Sequence, residues 1–195
     1  MKRLILLMAM LVLMTGMAGC ASLMRKVPAE AIEDSLGENE SAIVFFLNKP
    51  DGKVRIPVLE VLPDNTYQLV SVMPNRAKYL HKTTHGKHLY LIDGPFGYFL
   101  EANLEGGKFY YVSVAEIRPN HFKMYPVTKN DLQTETYGRA IWHENTKKSH
   151  DWFAKREPRL NQRYEKLLRH QEQGTLGSRR VEILPSDYGT TTLVR

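Results

Sequence analysis

The chain has 195 residues, one cysteine, and 27 Lys and Arg against 21 Asp and Glu, for a formal net charge of +6. That length suits one domain with a sizeable core plus appendages. A single thiol excludes an internal disulfide, so stability has to come from buried apolar surface. The basicity is mild and acidic residues are spread among the basic ones, which excludes the concentrated positive footprint of a nucleic-acid binder.

Lys2 and Arg3 precede an apolar run from Leu4 to Met14, which relaxes at Thr15 and Gly16 and reaches Met17, Ala18, Gly19 and Cys20. The run is shorter than the roughly 20 residues of a membrane-spanning helix, and small residues follow it, so a cleaved secretory signal over residues 1–19 is expected. Ala18-Gly19-Cys20 with Met17 before it resembles the bacterial lipobox, though Leu is commoner at the Met17 position. The resemblance implies diacylglyceryl transfer to the Cys20 sulfur, cleavage before Cys20 and acylation of the new amine, leaving palmitate-type chains in the bilayer. Two or more acyl chains anchor stably where one binds only marginally. Ala21 stands where Asp is the usual signal for retention in the inner membrane. By the same resemblance the address is the outer membrane, facing the periplasm, of a Gram-negative host. The competing reading makes Cys20 an ordinary thiol in an uncleaved helix.

Residues 20–40 are polar, contain Pro28 and Gly37, and lack a sustained apolar period. They are expected to form a lipidated N-terminus and flexible tether, whose end-to-end distance at about 20 residues is on the order of 25 Å. From Ser41 to Val127 the texture changes to short β-rich runs separated by turn residues. Ala42 to Leu47 is apolar throughout, the pattern of a strand covered on both faces, and Asn48-Lys49-Pro50-Asp51-Gly52 is a strong turn signal. Val54 to Leu62, Tyr67 to Met73 and Ala77 to Lys82 follow. Lys87 to Ile92 comes next, with His88, Tyr90 and Ile92 on one face by the period of two. Asp93-Gly94-Pro95 then turns the chain into Tyr98 to Leu104. Lys108 to Ile117, with Tyr110, Val112 and Val114 on one side, and His121 to Val127 complete the set. About seven or eight short strands at this spacing predict an antiparallel β-sandwich over residues 41–127, and a partly open barrel is compatible with the same rhythm.

Residues 128–195 read as a helical extension and an irregular tail. Thr128 and Asp131 have the spacing of a capping box, and Leu132 to His143 can continue as a helix. A second helical stretch runs from about Asn145, with Pro158 either kinking it or opening a new helix. Leu160, Tyr164, Leu167 and Leu168 form one apolar stripe, and Gly174 is the expected stop.

Gly86-Lys87-His88-Leu89-Tyr90-Leu91, followed by Phe99-Leu100-Glu101-Ala102-Asn103-Leu104-Glu105-Gly106-Gly107-Lys108-Phe109-Tyr110-Tyr111-Val112, resembles the core of an uncharacterised family of small bacterial lipoprotein domains, domain of unknown function 2846. Trp142-His143-Glu144-Asn145 and Leu184-Pro185-Ser186-Asp187-Tyr188-Gly189 resemble the helical extension some such proteins carry. The resemblance implies a β-sandwich on an envelope anchor and brings no reaction and no catalytic residues.

Chemistry-bearing residues are few in pattern. His81, His85 and His88 lie close together, but zinc needs three or four convergent ligands with oriented partners, and a hydrogen-bonded core histidine at His88 is the expectation. His143 and His150 would stand roughly 10 Å apart on one helix, too far for one ion. Ser149-His150-Asp151 names the members of a catalytic triad, yet sequence neighbours seldom meet in that order. Lys155, Arg159 and Arg163 recur every four residues and are candidate contacts to a partner or to anionic headgroups, against the plainer reading of a solvated face balanced by Glu157, Glu165 and Glu172. Trp142, Trp152 and Phe153 are expected to pin helix to sheet.

The sequence thus predicts a membrane-anchored envelope lipoprotein acting as a non-enzymatic binding or structural module, without catalytic residues, cofactor or metal. Its expected partners are the bilayer, through acyl chains on Cys20, and another envelope protein or cell-wall component, with no nucleic acid. The alternatives are a periplasmic hydrolase or metal-dependent enzyme, and a subunit of an envelope assembly docking through its C-terminal helices. A pocket where histidines converge with a carboxylate would favour the enzyme.

Overall fold

The computed structural model describes residues 22–47, 55–92, 98–119, 121–133, 135–172 and 182–195. Met17, Ala18, Gly19 and Cys20, the turns expected at 48–52 and 93–95, and the stop at Gly174 lie outside the described residues.

All eight runs read as strands between residues 40 and 127 are strands: β2 (Glu40–Leu47), β3 (Arg55–Val61), β4 (Tyr67–Pro74), β5 (Ala77–Thr84), β6 (Gly86–Ile92), β7 (Tyr98–Leu104), β8 (Phe109–Arg118) and β9 (His121–Val127). Three further strands join them: β1 (Met24–Lys26), β10 (Ile141–Asn145) and β11 (Glu182–Leu184). They form a six-stranded sheet, ordered β1-β10-β5-β2-β8-β9, and a five-stranded sheet, ordered β11-β7-β6-β3-β4. The protein is a mainly β sandwich with C-terminal helices.

The sheets are mixed rather than purely antiparallel as expected. β2 runs parallel to β8, β10 to β5 and β11 to β7. Hairpin partners have to be antiparallel, but each of these pairs is joined by a long stretch of chain, which frees the direction of pairing. Turn chemistry closes the short connections. Between β3 and β4, Asp64 Oδ1 accepts from the Thr66 amide at 3.0 Å and hydroxyl at 2.6 Å, and Asn65 takes the left-handed φ of 63° that asparagine tolerates. Pro57 sits inside β3 at a place where β6 pairing has already ended, since β6 meets only Val58 to Val61, and Pro126 lies in the edge strand β9. Between β5 and β6 the chain passes from one sheet to the other at Gly86, whose φ of 115° strains any residue with a side chain.

Between the sheets lie Ile43, Phe45 and Leu47 of β2, Ile56 and Val58 of β3, Tyr90 and Ile92 of β6, and Tyr110, Val112 and Val114 of β8. β2 is buried on its other face as well, where Ala42, Val44 and Phe46 pack with Phe109, Tyr111, Leu132, Tyr137 and Trp142.

The cover for that second face comes from the segments expected to be loose. Residues 22–40 belong to the body rather than to a flexible tether. β1 pairs antiparallel with β10, Val27 N–H donates to the Trp142 carbonyl at 3.0 Å, and Val27, Ala29, Ile32 and Leu36 pack against the Phe46 cluster. These apolar residues lack a period of their own because they follow the shape of an open sheet face. The C-terminal end behaves alike. Thr128 does bond Asp131, at 2.5 Å through its hydroxyl, but the pair closes only a short 3-10 helix, Lys129–Gln133, followed by α1 (Glu135–Arg139). The helix expected to reach His143 instead stops before Ile141, where β10 takes the open edge of β5. Nor is the tail irregular: β11 pairs with β7, the Thr190 amide donates to the Phe109 carbonyl at 2.9 Å, and the Tyr137 hydroxyl donates to the Val194 carbonyl at 2.5 Å.

Two helices, α2 (Lys147–Ala154) and α3 (Glu157–Glu172), cover the outer face of the five-stranded sheet. Pro158 lies in the first turn of α3, where a missing amide hydrogen costs nothing. Phe153, Leu160 and Tyr164 are buried against Leu59, Leu69, Val72, Leu91 and Phe99, and half-buried Trp152 packs there too. The side chains of Leu167 and Leu168 lie outside the described residues.

Phe46→Ala tests the second covered face. The ring is buried and stands edge-on to Tyr137 at 5.1 Å between centroids. Truncation should lower unfolding free energy by about 3–5 kcal/mol in urea denaturation, and a loss under about 1 kcal/mol would mean that this face is not packed.

Candidate ligand-binding cleft

By the period of two, Glu60 falls on the same face of β3 as Ile56 and Val58, and His88 on the same face of β6 as Tyr90 and Ile92. Both therefore point between the sheets. His81 reaches them from β5 in the opposite sheet, beside the Gly86 crossing. Glu60 Oε1 lies 2.6 Å from His88 Nδ1 and Oε2 lies 3.3 Å from His81 Nε2. The other nitrogen of His88, Nε2, lies 2.9 Å from the Thr84 carbonyl. The three side chains are only 9–11% exposed, and Tyr90 packs on both rings, stacked against His88 and edge-on to His81.

Burial alone would push the Glu60 carboxyl up, but hydrogen bonds from His81 and His88, and the charge on those rings, outweigh it and hold the group at about 2. Glu60 is thus a carboxylate at any physiological pH. His88 faces an oxygen on each side, the Glu60 carboxylate at Nδ1 and the Thr84 carbonyl at Nε2. The cluster ties the two sheets together across the interior.

Glu60 and His88 also form part of the wall of a cleft of about 730 Å³. Asn65, Gln68, Thr83, Thr84 and Asn103 supply hydrogen-bonding groups, Leu62, Leu89 and Ile183 supply apolar surface, and Lys87 and Glu101 bring opposite charges. Ile183 on the edge strand β11 is 65% exposed. This mixture of a few convergent polar groups with apolar wall is the ordinary composition of a small-ligand site.

Of the three neighbouring histidines, the structure brings two together. His81 and His88 share Glu60, whereas His85 is exposed at the cleft. His88 is the hydrogen-bonded core histidine expected from the sequence. Among the described residues no group of three or more His, Cys, Asp or Glu is arranged to hold a metal ion. His143 is buried on β10, not on a helix surface, with Nδ1 at 2.8 Å from the Ile141 carbonyl, and burial followed by the charge of Lys26 overcomes that bond and lowers its pKa. Ser149 does not serve a triad: its hydroxyl donates to the Thr146 carbonyl at 2.6 Å and accepts from the Thr146 amide at 2.9 Å.

Lys155, Arg159 and Arg163 do not form one helical row. Lys155 ends α2, whereas Arg159 and Arg163 belong to α3 and are joined instead by Arg156 around a small hollow. Glu60 was missed as a functional candidate, although its parity already placed a carboxylate on the core face of β3 and His88 on the core face of β6, which is paired with it.

No family model, curated protein or solved structure matches the chain. Among the described residues, no helix is long and apolar enough to cross a membrane.

Glu60→Gln tests the cross-sheet cluster through its pH dependence. A carboxyl lowered from 4.5 to about 2 on folding stabilises the native state above pH 4.5, and that contribution disappears as pH falls through 2. The full shift corresponds to about 3 kcal/mol. Urea denaturation should therefore show Glu60→Gln to be less stable at pH 7 by about 2–3 kcal/mol. The variant should also lose less stability than the native protein as pH falls from 4.5 to 2. Equal stability at pH 7 would remove the cluster's structural role.

Proposed function

We propose that the chain is a lipid-anchored bacterial envelope protein, on the periplasmic face of the outer membrane, that acts as a non-enzymatic binding module through the cleft beside Glu60 and His88. The export leader and the Met17-Ala18-Gly19-Cys20 lipobox support the anchor, as does the resemblance to the family of small envelope lipoprotein domains. The observation that carries the binding reading is the state of His88. Both of its ring nitrogens are engaged by groups of the protein itself, the Glu60 carboxylate and the Thr84 carbonyl, not held open for a substrate. The cleft is left with hydrogen-bonding side chains and an apolar wall, which suits recognition of another envelope protein or a cell-wall component.

The convergence of two histidines on a carboxylate beside a cleft favours a second reading, a periplasmic hydrolase or metal-dependent enzyme. That reading requires His88 to release Thr84 and turn a nitrogen outward. Stoichiometric zinc on the purified protein by elemental analysis would support it over the binder.

Labelling cells with radioactive palmitate tests the anchor: the native protein should carry label and fractionate with outer membrane, and Cys20→Ser should carry none. Unlabelled native protein sinks the anchor. For the cleft, Ile183 replaced by photoreactive benzoylphenylalanine should give a discrete adduct on irradiation of intact cells, lost when Cys20→Ser is added. The absence of any adduct would count against the cleft as a binding site.

A further inference from the structure

The described chain begins immediately beside the two C-terminal helices. Thr146, the residue before α2, donates its hydroxyl to the carbonyls of Leu23 at 2.9 Å and Ser22 at 3.2 Å, and its amide to Leu23 at 3.3 Å. Met24 is then buried in the cluster that contains Phe153, Leu160 and Tyr164. Leu160 has a second neighbourhood. With Arg156, Arg159 and Arg163 it lines a hollow of about 400 Å³ on the outside of the protein. Arg156 is held there by its own packing, its guanidinium 4.2 Å from the centre of the Trp152 ring and Nη1 3.4 Å from the Trp152 carbonyl.

We infer that this arginine hollow is a docking site for the phosphate groups of anionic lipid, which seats the helical end of the protein on the membrane that carries its anchor. The inference rests on the lipid-anchored reading. If Cys20 bears the acyl chains, Ala21 alone stands between it and Ser22, a reach of at most about 7 Å. The surface around Ser22 and Thr146 is then held within contact distance of the headgroups, not on the long tether expected from the sequence. What that surface presents is positive. Lys147 and Lys148 are exposed on the first turn of α2, where the helix dipole adds to their charge instead of offsetting it. The three arginines follow on the next turns of chain, all exposed. Guanidinium forks match phosphate oxygens two at a time, and basic residues at an anionic leaflet contribute additively to attraction. Asp151, Glu157, Glu165 and Glu172 are on the same helices, but Asp151, Glu157 and Glu165 do not line the hollow.

The test uses the full chain as cells process it, purified in detergent and reconstituted into vesicles of phosphatidylcholine alone or with phosphatidylglycerol, with acrylamide quenching of tryptophan as the readout. Trp142 is buried, so the quenchable ring is Trp152, which carries Arg156. With phosphatidylglycerol the quenching constant should fall by about half, because the bilayer closes one side of the ring, and high salt should reverse the change. Arg156→Gln, Arg159→Gln and Arg163→Gln together should abolish the difference between vesicles. The matching triple Lys variant should retain most of it, which separates charge from a packing defect. Equal quenching of the native protein in both vesicles, loss of protection in the Lys variant, or protection produced by inorganic phosphate without phosphatidylglycerol would each overturn the inference. Mass spectrometry of the N-terminal peptide in the same preparation reports acylation of Cys20 separately, so failure of the anchor and failure of the hollow are told apart.

Discussion

Strand β2 carries six consecutive apolar residues, Ala42 to Leu47, and an extended chain turns successive side chains to opposite faces. Both faces of the sheet at β2 therefore have to be covered, each large side chain kept from water being worth about 1.5–3 kcal/mol. The second sheet covers Ile43, Phe45 and Leu47. For Ala42, Val44 and Phe46 the chain has no third sheet, and it uses pieces of both its ends: Val27 to Leu36 from one side, α1, β10 and Leu193-Val194 from the other. One strand thus explains why segments with weak patterns of their own are ordered, and why Val27 to Leu36 and the last residues of the chain lie on one face, with Arg195 bonded to Asp34 at 2.6 Å.

That dependence also marks what was readable in the sequence. The eight strands from β2 to β9 carry their own signal, in the alternation of core and surface residues and in turn residues such as Asp64-Asn65. The strands β1, β10 and β11 do not. Met24 to Lys26 and Glu182 to Leu184 are three residues long, too short for a period to show, and Ile141-Trp142 follows a good capping pair that points toward helix. Their structure is set by vacant edges on β5 and β7, which are properties of the sheet, not of the segments. Similarly, Lys155 and Arg159 look like successive positions on one helix until the break between α2 and α3 puts them on different axes. The cluster of Glu60, His81 and His88 was half legible. Parity places the glutamate and His88 on the core side, but their meeting with His81 depends on the crossing at Gly86, which no local pattern reveals.

A carboxylate with two histidines is an expensive way to fill the end of a sandwich, since each charge loses water on burial. Here every carboxylate oxygen has a ring nitrogen, and the second nitrogen of His88 has a carbonyl. Apolar residues of the same volume would pack at less cost. What they would lack is selectivity for register. A slip of β3 by one residue would turn Glu60 out toward the face where Leu59 packs and leave two histidines facing Leu59 instead. The polar contact fixes which residues of the two sheets oppose one another at the place where the chain changes sheets, and it holds the cleft wall in one shape.

Leu59 and Glu60 are adjacent and look in opposite directions. Leu59 packs with Met24, Phe153 and Leu160 beneath the basic helices, and Glu60 anchors the cluster in the cleft wall. A strand is stiff across two residues, and β3 is bonded on both sides by β4 and β6. On the proposed anchoring, seating the helices on headgroups therefore also sets the direction in which the cleft opens, because the same strand forms part of both. A long tether would leave the cleft free to face any way, whereas a short link with an arginine seat would present it at a constant height and angle to the membrane.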